Sequence, residues 1–107
     1  MIQVPFASFV HDFMVTENHV IFPTYPLAFN IERAMAGVPL AWEPERGTHF
    51  GVMPRDGTPA DISWHTMEPR WSFHIMNAWE EGDSIRMDLC ASNATEFAPM
   101  LLSLIHI

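Results

Sequence analysis

Histidine is the residue type in this sequence best suited to bind a metal ion or to transfer a proton. The six histidines stand at positions 11, 19, 49, 65, 74 and 106. Neutral imidazole is the commonest protein ligand for transition metals, and it also titrates near neutral pH. None of the six belongs to a local metal motif such as HxH, HExxH or HxxxH. A metal site built from these residues must therefore combine histidines that are distant in the sequence.

Two of these histidines, His11 and His74, stand in apolar segments that are typical of strands and are 63 positions apart (74 − 11). His11 alternates with Phe9, Phe13 and Val15 on one face of its segment. If that face is buried, the imidazole must find a partner or lose its solvation. Spacing alone favours core histidines held by hydrogen bonds at both positions, and a shared metal ion is the alternative.

Composition and charge exclude several other functions. The chain has 107 residues and a formal net charge of −8, with 13 acidic residues and five basic ones. The five are all arginines and stand singly along the chain, so no basic patch can form and we expect no nucleic-acid partner. The single cysteine, Cys90, excludes an internal disulfide and a zinc site of several cysteines. We interpret it as a small buried residue in a strand.

We expect no targeting or membrane segment in this sequence. The first residues lack the charged start and apolar run of a secretory signal. The longest apolar stretch near the end is shorter than the ~20 residues that span a bilayer. The single cysteine fits a reducing compartment, so we expect a cytoplasmic location. The length fits one small domain or a piece of a larger one equally well.

Alternating segments at near-regular intervals predict an all-β fold. The predicted strands cover residues 8–16, 19–22, 48–55, 62–67, 71–80 and a last segment around residues 85–89. Pro23 is expected to end the second strand because proline cannot donate to a ladder. Within residues 25–47, Asn30 as a cap and Gly37 as a stop predict one short helix in a long loop. Periodicity does not choose between a sandwich, a barrel and a propeller.

Two acidic residues near the histidines receive structural interpretations. Asp12 alternates opposite His11, and it is interpreted as bonding to the backbone of a hairpin or as part of the periphery of the site. Glu80, with Asn77 and Asp83, is interpreted as fixing the turn between the last two strands. Three further histidines, at positions 19, 49 and 65, are expected to be structural or surface residues.

Three segments of the sequence resemble the carotenoid cleavage oxygenase family. Residues 10–18 (VHDFMVTEN), followed by VIFP, resemble the HDF…T-N…F segment of that family. Residues 51–55 (GVMPR) resemble its GV-PR strand, and residues 73–83 (FHIMNAWEEGD) resemble its FH..NA-E-GD segment. The three matches occur in the family's order. The similarity is greatest to the bacterial branch that includes the lignostilbene dioxygenases.

The resemblance implies a fold, a cofactor and two of its ligands. Residues 1–92 would form about two blades of a seven-bladed β-propeller with Fe(II) on its axis, held by four histidines. His11 matches the second of those ligands and His74 the third. The other two, and the glutamates that orient the ligands, would lie outside this chain. Phe73 matches a residue that lines the substrate tunnel, a role that requires a twist or bulge because neighbours in a regular strand point to opposite faces.

The activity that the resemblance implies is cleavage of a conjugated carbon–carbon double bond by dioxygen, which gives two carbonyl products. The substrate would be an apolar apocarotenoid or a stilbene-type molecule, and the chain alone is expected to be inactive. The resemblance also allows peripheral membrane contact, and it leaves the cleavage position and the oligomeric state open. Residues 93–107 depart from the family pattern and are interpreted as an atypical tail, with a non-native origin as one explanation.

Two alternatives stay open at this point. One is a small β module that binds an apolar ligand or a protein partner without metal. The other is an inactive, truncated remnant of an oxygenase. The first alternative predicts that His11 and His74 are dispensable, whereas the oxygenase hypothesis makes both essential.

Overall fold

Eight short strands and one α-helix make up the regular structure of residues 1–93, the part of the chain that the computed structural model describes. In chain order these are β1 (Met14–Val15), β2 (His19–Thr24), β3 (Leu27–Phe29), α1 (Ile31–Met35), β4 (Leu40–Trp42), β5 (Thr48–Pro54), β6 (Ser63–Met67), β7 (Ile75–Glu81) and β8 (Ser84–Leu89). Single-turn 3₁₀ helices, Pro44–Arg46 and Pro59–Asp61, precede β5 and β6. Within residues 1–93, no helix is long and apolar enough to span a bilayer.

The strands form one four-stranded sheet and two separate pairs. The large sheet has the order β1-β2-β5-β6, and the pairs are β3-β4 and β7-β8. Every pairing is antiparallel. The prediction of an all-β chain with one short α-helix is therefore confirmed.

The segment between β2 and β5 is more regular than its sequence predicts. The helix forms where expected, because the side chain of Asn30 accepts a hydrogen bond from the N–H of Arg33 and Gly37 follows with a φ of 90°. The strands on either side of this helix, β3 and β4, pair with each other, and the interpretation of residues 25–47 as a loop with one helix was incomplete. Strands of three residues are too short to show an alternating pattern.

Two predicted strand limits were wrong. Of the predicted strand over residues 8–16, only β1 and an isolated bridge between Ser8 and Ala28 form. β2 runs on through Pro23, which pairs with Phe50 of β5. Because β1 pairs only with residues 20 and 21 of β2, the missing N–H of Pro23 removes no ladder bond to β1.

The buried apolar residues form two clusters. The first consists of Tyr25, Leu27 and Trp71, with Leu40, Trp42 and Phe73 packed against it. The second consists of Met14, Ile21 and Phe50, with Val52, Ile75, Ala78, Ile85, Met87 and Leu89 packed against it. The second cluster packs the β7-β8 pair onto the four-stranded sheet. The start of β7 is thereby held close to the segment that precedes β1.

An irregularity in β7 changes which side chains face this second cluster. Ile75 pairs with Leu89 and Asn77 with Asp88, so Met76 is an extra residue in the ladder. Met76 is 69% exposed, while Ile75 and Ala78 both pack against the second cluster. Residues three apart in a regular strand point to opposite faces, and the bulge places these two on the same face.

The interpretation of Cys90 as a buried strand residue was wrong. Cys90 follows the last residue of β8 and is exposed. Since Leu89 packs against the second cluster, the next side chain points away from it. The thiol lies 3.5 Å from the sulfur of Met76, which is also exposed.

Candidate metal centre

The fold brings the rings of His11 and His74 together. Their ring centroids are 5.1 Å apart and the ring planes are inclined by 77°. His11 lies in the irregular segment before β1, and His74 directly precedes β7. Because metal–imidazole bonds are about 2.0–2.1 Å long, two rings at this separation can bind one ion. Of the histidines in residues 1–93, these are the two that the resemblance selected.

The surroundings of this pair contradict the interpretation of both residues as core histidines. His11 and His74 are exposed within residues 1–93. The face that His11 was expected to share is also open, since Phe13 is 54% exposed and Val15 49%. Burial therefore does not require a hydrogen-bonding partner for either imidazole.

Phe73 lies beside both histidines. Its ring is perpendicular to that of His11, at a centroid distance of 5.6 Å, and 6.3 Å from that of His74. A bend at residue 73, just before β7, lets neighbouring side chains reach the same ring. The irregularity that a tunnel-lining role requires is thus present. On its other side Phe73 contacts Trp71 edge to face at 5.1 Å. Phe73 therefore separates the histidine pair from the first cluster, and its contact with substrate stays a prediction.

Asp12 connects the two histidine-bearing segments. One carboxylate oxygen, Oδ2, accepts a hydrogen bond of 3.1 Å from the N–H of Ile75, and the other, Oδ1, accepts one of 2.9 Å from the N–H of Phe13. The hydrogen bond from Ile75 is the main cause of a lowered pKa for Asp12. The Phe13 bond and electrostatic interaction with His74 and His11 also lower this pKa, while desolvation acts in the opposite direction. The expectation that Asp12 bonds to the backbone is confirmed, although one of its two donors lies on a distant strand.

The backbone of His74 is held from the side of the core. The hydroxyl of Ser72 donates a hydrogen bond of 2.8 Å to the carbonyl oxygen of His74, and Ser72 is itself buried. The neighbouring Tyr25 is also buried, and this burial raises the pKa of its phenol to about 12, partly offset by the Ser72 hydroxyl. Tyr25 is therefore neutral at physiological pH, and its ring contacts Trp71 edge to face at 5.1 Å in the first cluster.

Glu80 has a different role from the predicted one. Its carboxylate does not fix the β7-β8 turn but accepts hydrogen bonds from the β1-β2 turn. The donors are the hydroxyl of Thr16 at 2.5 Å, the N–H and side-chain amide of Asn18 at 2.7 and 2.8 Å, and Nδ1 of His19 at 3.0 Å. These bonds, with that of Thr16 the largest contributor, lower the pKa of Glu80 to about 2. The periodic pattern did not indicate this contact because its partners are more than 60 positions away.

His49 and His65 are structural or surface residues, as expected. His49 contacts the carbonyl oxygen of Arg46 at 2.6 Å and the hydroxyl of Thr66 at 3.1 Å, while His65 contacts Ser63. His106 lies outside the described residues, as does all of the predicted tail except Asn93. In the described part of the chain, no three His, Cys, Asp or Glu side chains meet in a way that could hold a metal ion. The site supplies two imidazoles.

The described fold is similar to part of a dioxygenase of known structure. A crystal structure of the lignostilbene dioxygenase of Pseudomonas brassicacearum superimposes with a TM-score of 0.79 and 34% identity, over 90% of this chain and 21% of that one. The described sheets are thus part of a β-propeller, as the sequence resemblance implied.

The family follows from the sequence comparisons. Residues 1–105 match the family described as RPE65, retinal pigment epithelial membrane protein. Isoeugenol monooxygenase of Pseudomonas putida is 47% identical over 94 residues, which are 87% of this chain and 20% of the relative. Lignostilbene-alpha,beta-dioxygenase isozyme III of Sphingomonas paucimobilis is 36% identical over 104 residues, or 91% of this chain and 21% of the relative. The chain belongs to this family of carotenoid and stilbene cleavage oxygenases, and it spans about a fifth of the length of these curated relatives.

Proposed function

We propose that this chain supplies two histidine ligands, His11 and His74, to the Fe(II) ion of a dioxygenase that cleaves a conjugated carbon–carbon double bond. The observation that carries the proposal is the 5.1 Å separation of the two rings. Two residues 63 positions apart (74 − 11) are brought to the distance at which one ion can bind both. The names of the relatives, isoeugenol monooxygenase and lignostilbene-alpha,beta-dioxygenase, support an aryl-conjugated alkene as substrate, with an apocarotenoid as the alternative.

The imidazoles of His11 and His74 are suitable ligands for Fe(II), but they are only part of a complete set. Neutral imidazole nitrogens are good ligands for iron and other first-row transition metals. Two of them do not complete a coordination sphere, so further ligands must come from outside residues 1–93. When bound, the iron supplies activation of dioxygen, which the side chains of the protein cannot provide.

The residues of this chain orient the two histidines and place an aromatic ring beside them. The Ser72 hydroxyl fixes the carbonyl group of His74, and the Asp12 carboxylate holds the backbone just beyond that histidine. Phe73 places an aromatic ring against His11, and we propose that this ring contacts the apolar substrate. An aromatic ring of this kind binds conjugated carbon chains by burial and contains no group that competes for protons.

The proposal is tested in the full-length protein with His11→Ala, His74→Ala and the control His65→Ala, whose exposed ring contacts the hydroxyl of Ser63. We expect each of the first two variants to lose bound iron and the cleavage of isoeugenol or a hydroxylated stilbene. The His65 variant should retain both. Iron is measured as metal per folded protein, and cleavage as carbonyl product. Full iron content in either of the first two variants would contradict the proposal and favour a metal-free binding module.

A cytoplasmic location is part of the proposal. It rests on Cys90, an exposed free thiol that a reducing compartment would maintain.

A further inference from the structure

The carboxylate of Asp12 bridges two segments that are distant in the sequence. Asp12 follows His11 directly, and Ile75, whose N–H donates to Oδ2 at 3.1 Å, follows His74 directly. The other oxygen, Oδ1, accepts from the N–H of Phe13 in its own segment at 2.9 Å. Each oxygen therefore accepts a hydrogen bond from the backbone of one histidine-bearing segment. Ile75 is the residue directly after His74, and Phe13 is the second residue after His11.

We infer that Asp12 is a positioning residue that sets the separation of His11 and His74. This inference rests on the proposed function, because it concerns the geometry of the same two ligands. It goes beyond that function in assigning the alignment of the pair to a carboxylate of this chain.

The strand ladders do not perform this alignment. Among the described strands, β1 pairs with β2 and β7 pairs with β8, so no ladder runs between the segment of His11 and that of His74. Apolar packing of Met14 and Ile75 in the second cluster brings the segments together, but such packing is non-directional. The Asp12–Ile75 hydrogen bond is directional, and it fixes the backbone within one residue of each ring.

A carboxylate suits this position for two reasons. It accepts two N–H groups at once, and hydrogen bonds to an ionised acceptor are shorter and stronger than neutral ones. Its negative charge also lies near both imidazoles, and this charge favours the binding of a cation by them. Asp12 is not assigned as a third ligand, because no three ligating groups meet among residues 1–93 and its oxygens already accept backbone donors.

The matched control is Glu80, another carboxylate that ties the same two parts of the fold. Glu80 lies near the far end of β7 and bonds to Thr16 and Asn18 in the β1-β2 turn. It therefore contributes to the docking of β7 without contacting the residues next to either histidine. Removing its charge should lower stability, whereas removing that of Asp12 should move the ligands.

The experiment measures Fe(II) affinity in full-length Asp12→Asn and Glu80→Gln proteins, by competition with a chelator. Asparagine keeps the size of the side chain but presents an N–H₂ group to one of the two donors. We expect Asp12→Asn to lower the affinity 10–100-fold, the usual effect of losing a group that orients metal ligands, and to change the visible spectrum of bound Co(II). Glu80→Gln should lower the thermal midpoint while its affinity stays within about twofold of the original.

The outcomes separate this inference from the proposed function. If His11→Ala abolishes binding but Asp12→Asn binds Fe(II) with unchanged affinity and an unchanged Co(II) spectrum, the inference is wrong and the function stands. If His11→Ala retains full affinity, the proposed function itself fails. Should Asp12→Asn not fold, Asp12→Ser, which keeps a small polar acceptor without the charge, is expected to show the same loss of affinity. Unchanged affinity in that variant would equally overturn the inference.

Discussion

At the scale of the residue, Gly51 shows how a large side chain on a neighbouring strand limits the size of the residue beside it. Gly51 of β5 is the register partner of Trp64 of β6. A Cβ atom at Gly51 would lie 2.7–3.0 Å from three carbons of the Trp64 ring, closer than carbon atoms approach without displacement. The indole therefore covers the backbone of β5 at this point. Gly51 belongs to the GVMPR segment, so the resemblance of that segment to the family has a packing reason here.

We predict that Gly51→Ala destabilises the full-length protein by about 1–3 kcal/mol, the usual cost of overpacking. The free energy of unfolding is measured by denaturant titration. The control is the same substitution in a Trp64→Leu background, where the smaller side chain leaves room for the new methyl group. The two substitutions should then be strongly non-additive. Equal costs in the two backgrounds would show that the indole contact is not the cause.

At the scale of the element, carboxylates hold β7 against the β1-β2 pair at both of its ends. Asp12 reaches the first residue of β7, and Glu80, the last but one, reaches the β1-β2 turn. In the first contact the carboxylate lies before β1 and the donor in β7. In the second contact the carboxylate lies in β7 and the donor in the β1-β2 turn. Between them, Ile75 and Ala78 pack into the second cluster because the bulge at Met76 turns both inward. Polar contacts thus fix the ends of an interface whose middle is apolar.

We predict that the contribution of Glu80 to stability depends on acid pH. Hydrogen bonds, that of Thr16 first, lower its pKa from an ordinary value of 4.5 to about 2. A carboxyl group whose pKa is lowered by folding stabilises the native state above its unfolded pKa, and the effect disappears as the pH falls through the folded pKa. The difference in thermal midpoint between the original protein and Glu80→Gln should therefore be constant above about pH 4.5 and vanish near pH 2.

The neighbouring Glu81 provides the control for this prediction. Its side chain is 62% exposed and lies 3.5 Å from Arg86. Exposed ion pairs contribute little to stability, so Glu81→Gln should change the midpoint only slightly at any pH. A Glu80 effect that stayed constant down to pH 2 would rule out ionisation of this carboxylate as its origin.

At the scale of the whole molecule, the described residues are more extended than a self-contained domain. The radius of gyration is 15.0 Å, compared with about 13 Å for a compact domain of 100 residues. The buried residues are divided between two clusters, and large apolar side chains such as Phe13, Ile31 and Met35 are exposed. Neighbouring blades of a propeller would cover such surfaces. The chain therefore has the properties of a section of a propeller.

We predict that the 107-residue chain, purified by itself, binds Fe(II) more weakly than the full-length protein and does not cleave isoeugenol or a stilbene. Two histidines meet in residues 1–93, and a coordination sphere with two protein ligands binds iron neither tightly nor in a fixed geometry. Iron affinity and carbonyl product are measured for both proteins under the same conditions. Carbonyl product formed by the isolated chain with added Fe(II) would contradict the prediction.

The sequence by itself determined those features that depend on neighbouring residues. The alternation of Ile85, Met87 and Leu89 predicted the inner face of β8, and Asn30 predicted the start of the helix. These succeeded because strand faces and helix caps are set by residues a few positions apart. The choice of His11 and His74 from six histidines came from the family resemblance, since their own spacing favoured a structural role.

Only the tertiary structure decided which distant groups meet. It placed the carboxylate of Asp12 on the N–H of Ile75 and that of Glu80 on the β1-β2 turn, contacts that span 63 and 62 positions. It also introduced the bulge at Met76, which no alternating pattern encodes. The physical reason is that such contacts form only after loops have closed and apolar faces have packed, and the outcome depends on the whole arrangement of strands. Local patterns specify which side of a strand is buried, while packing of the strands specifies what each side chain touches.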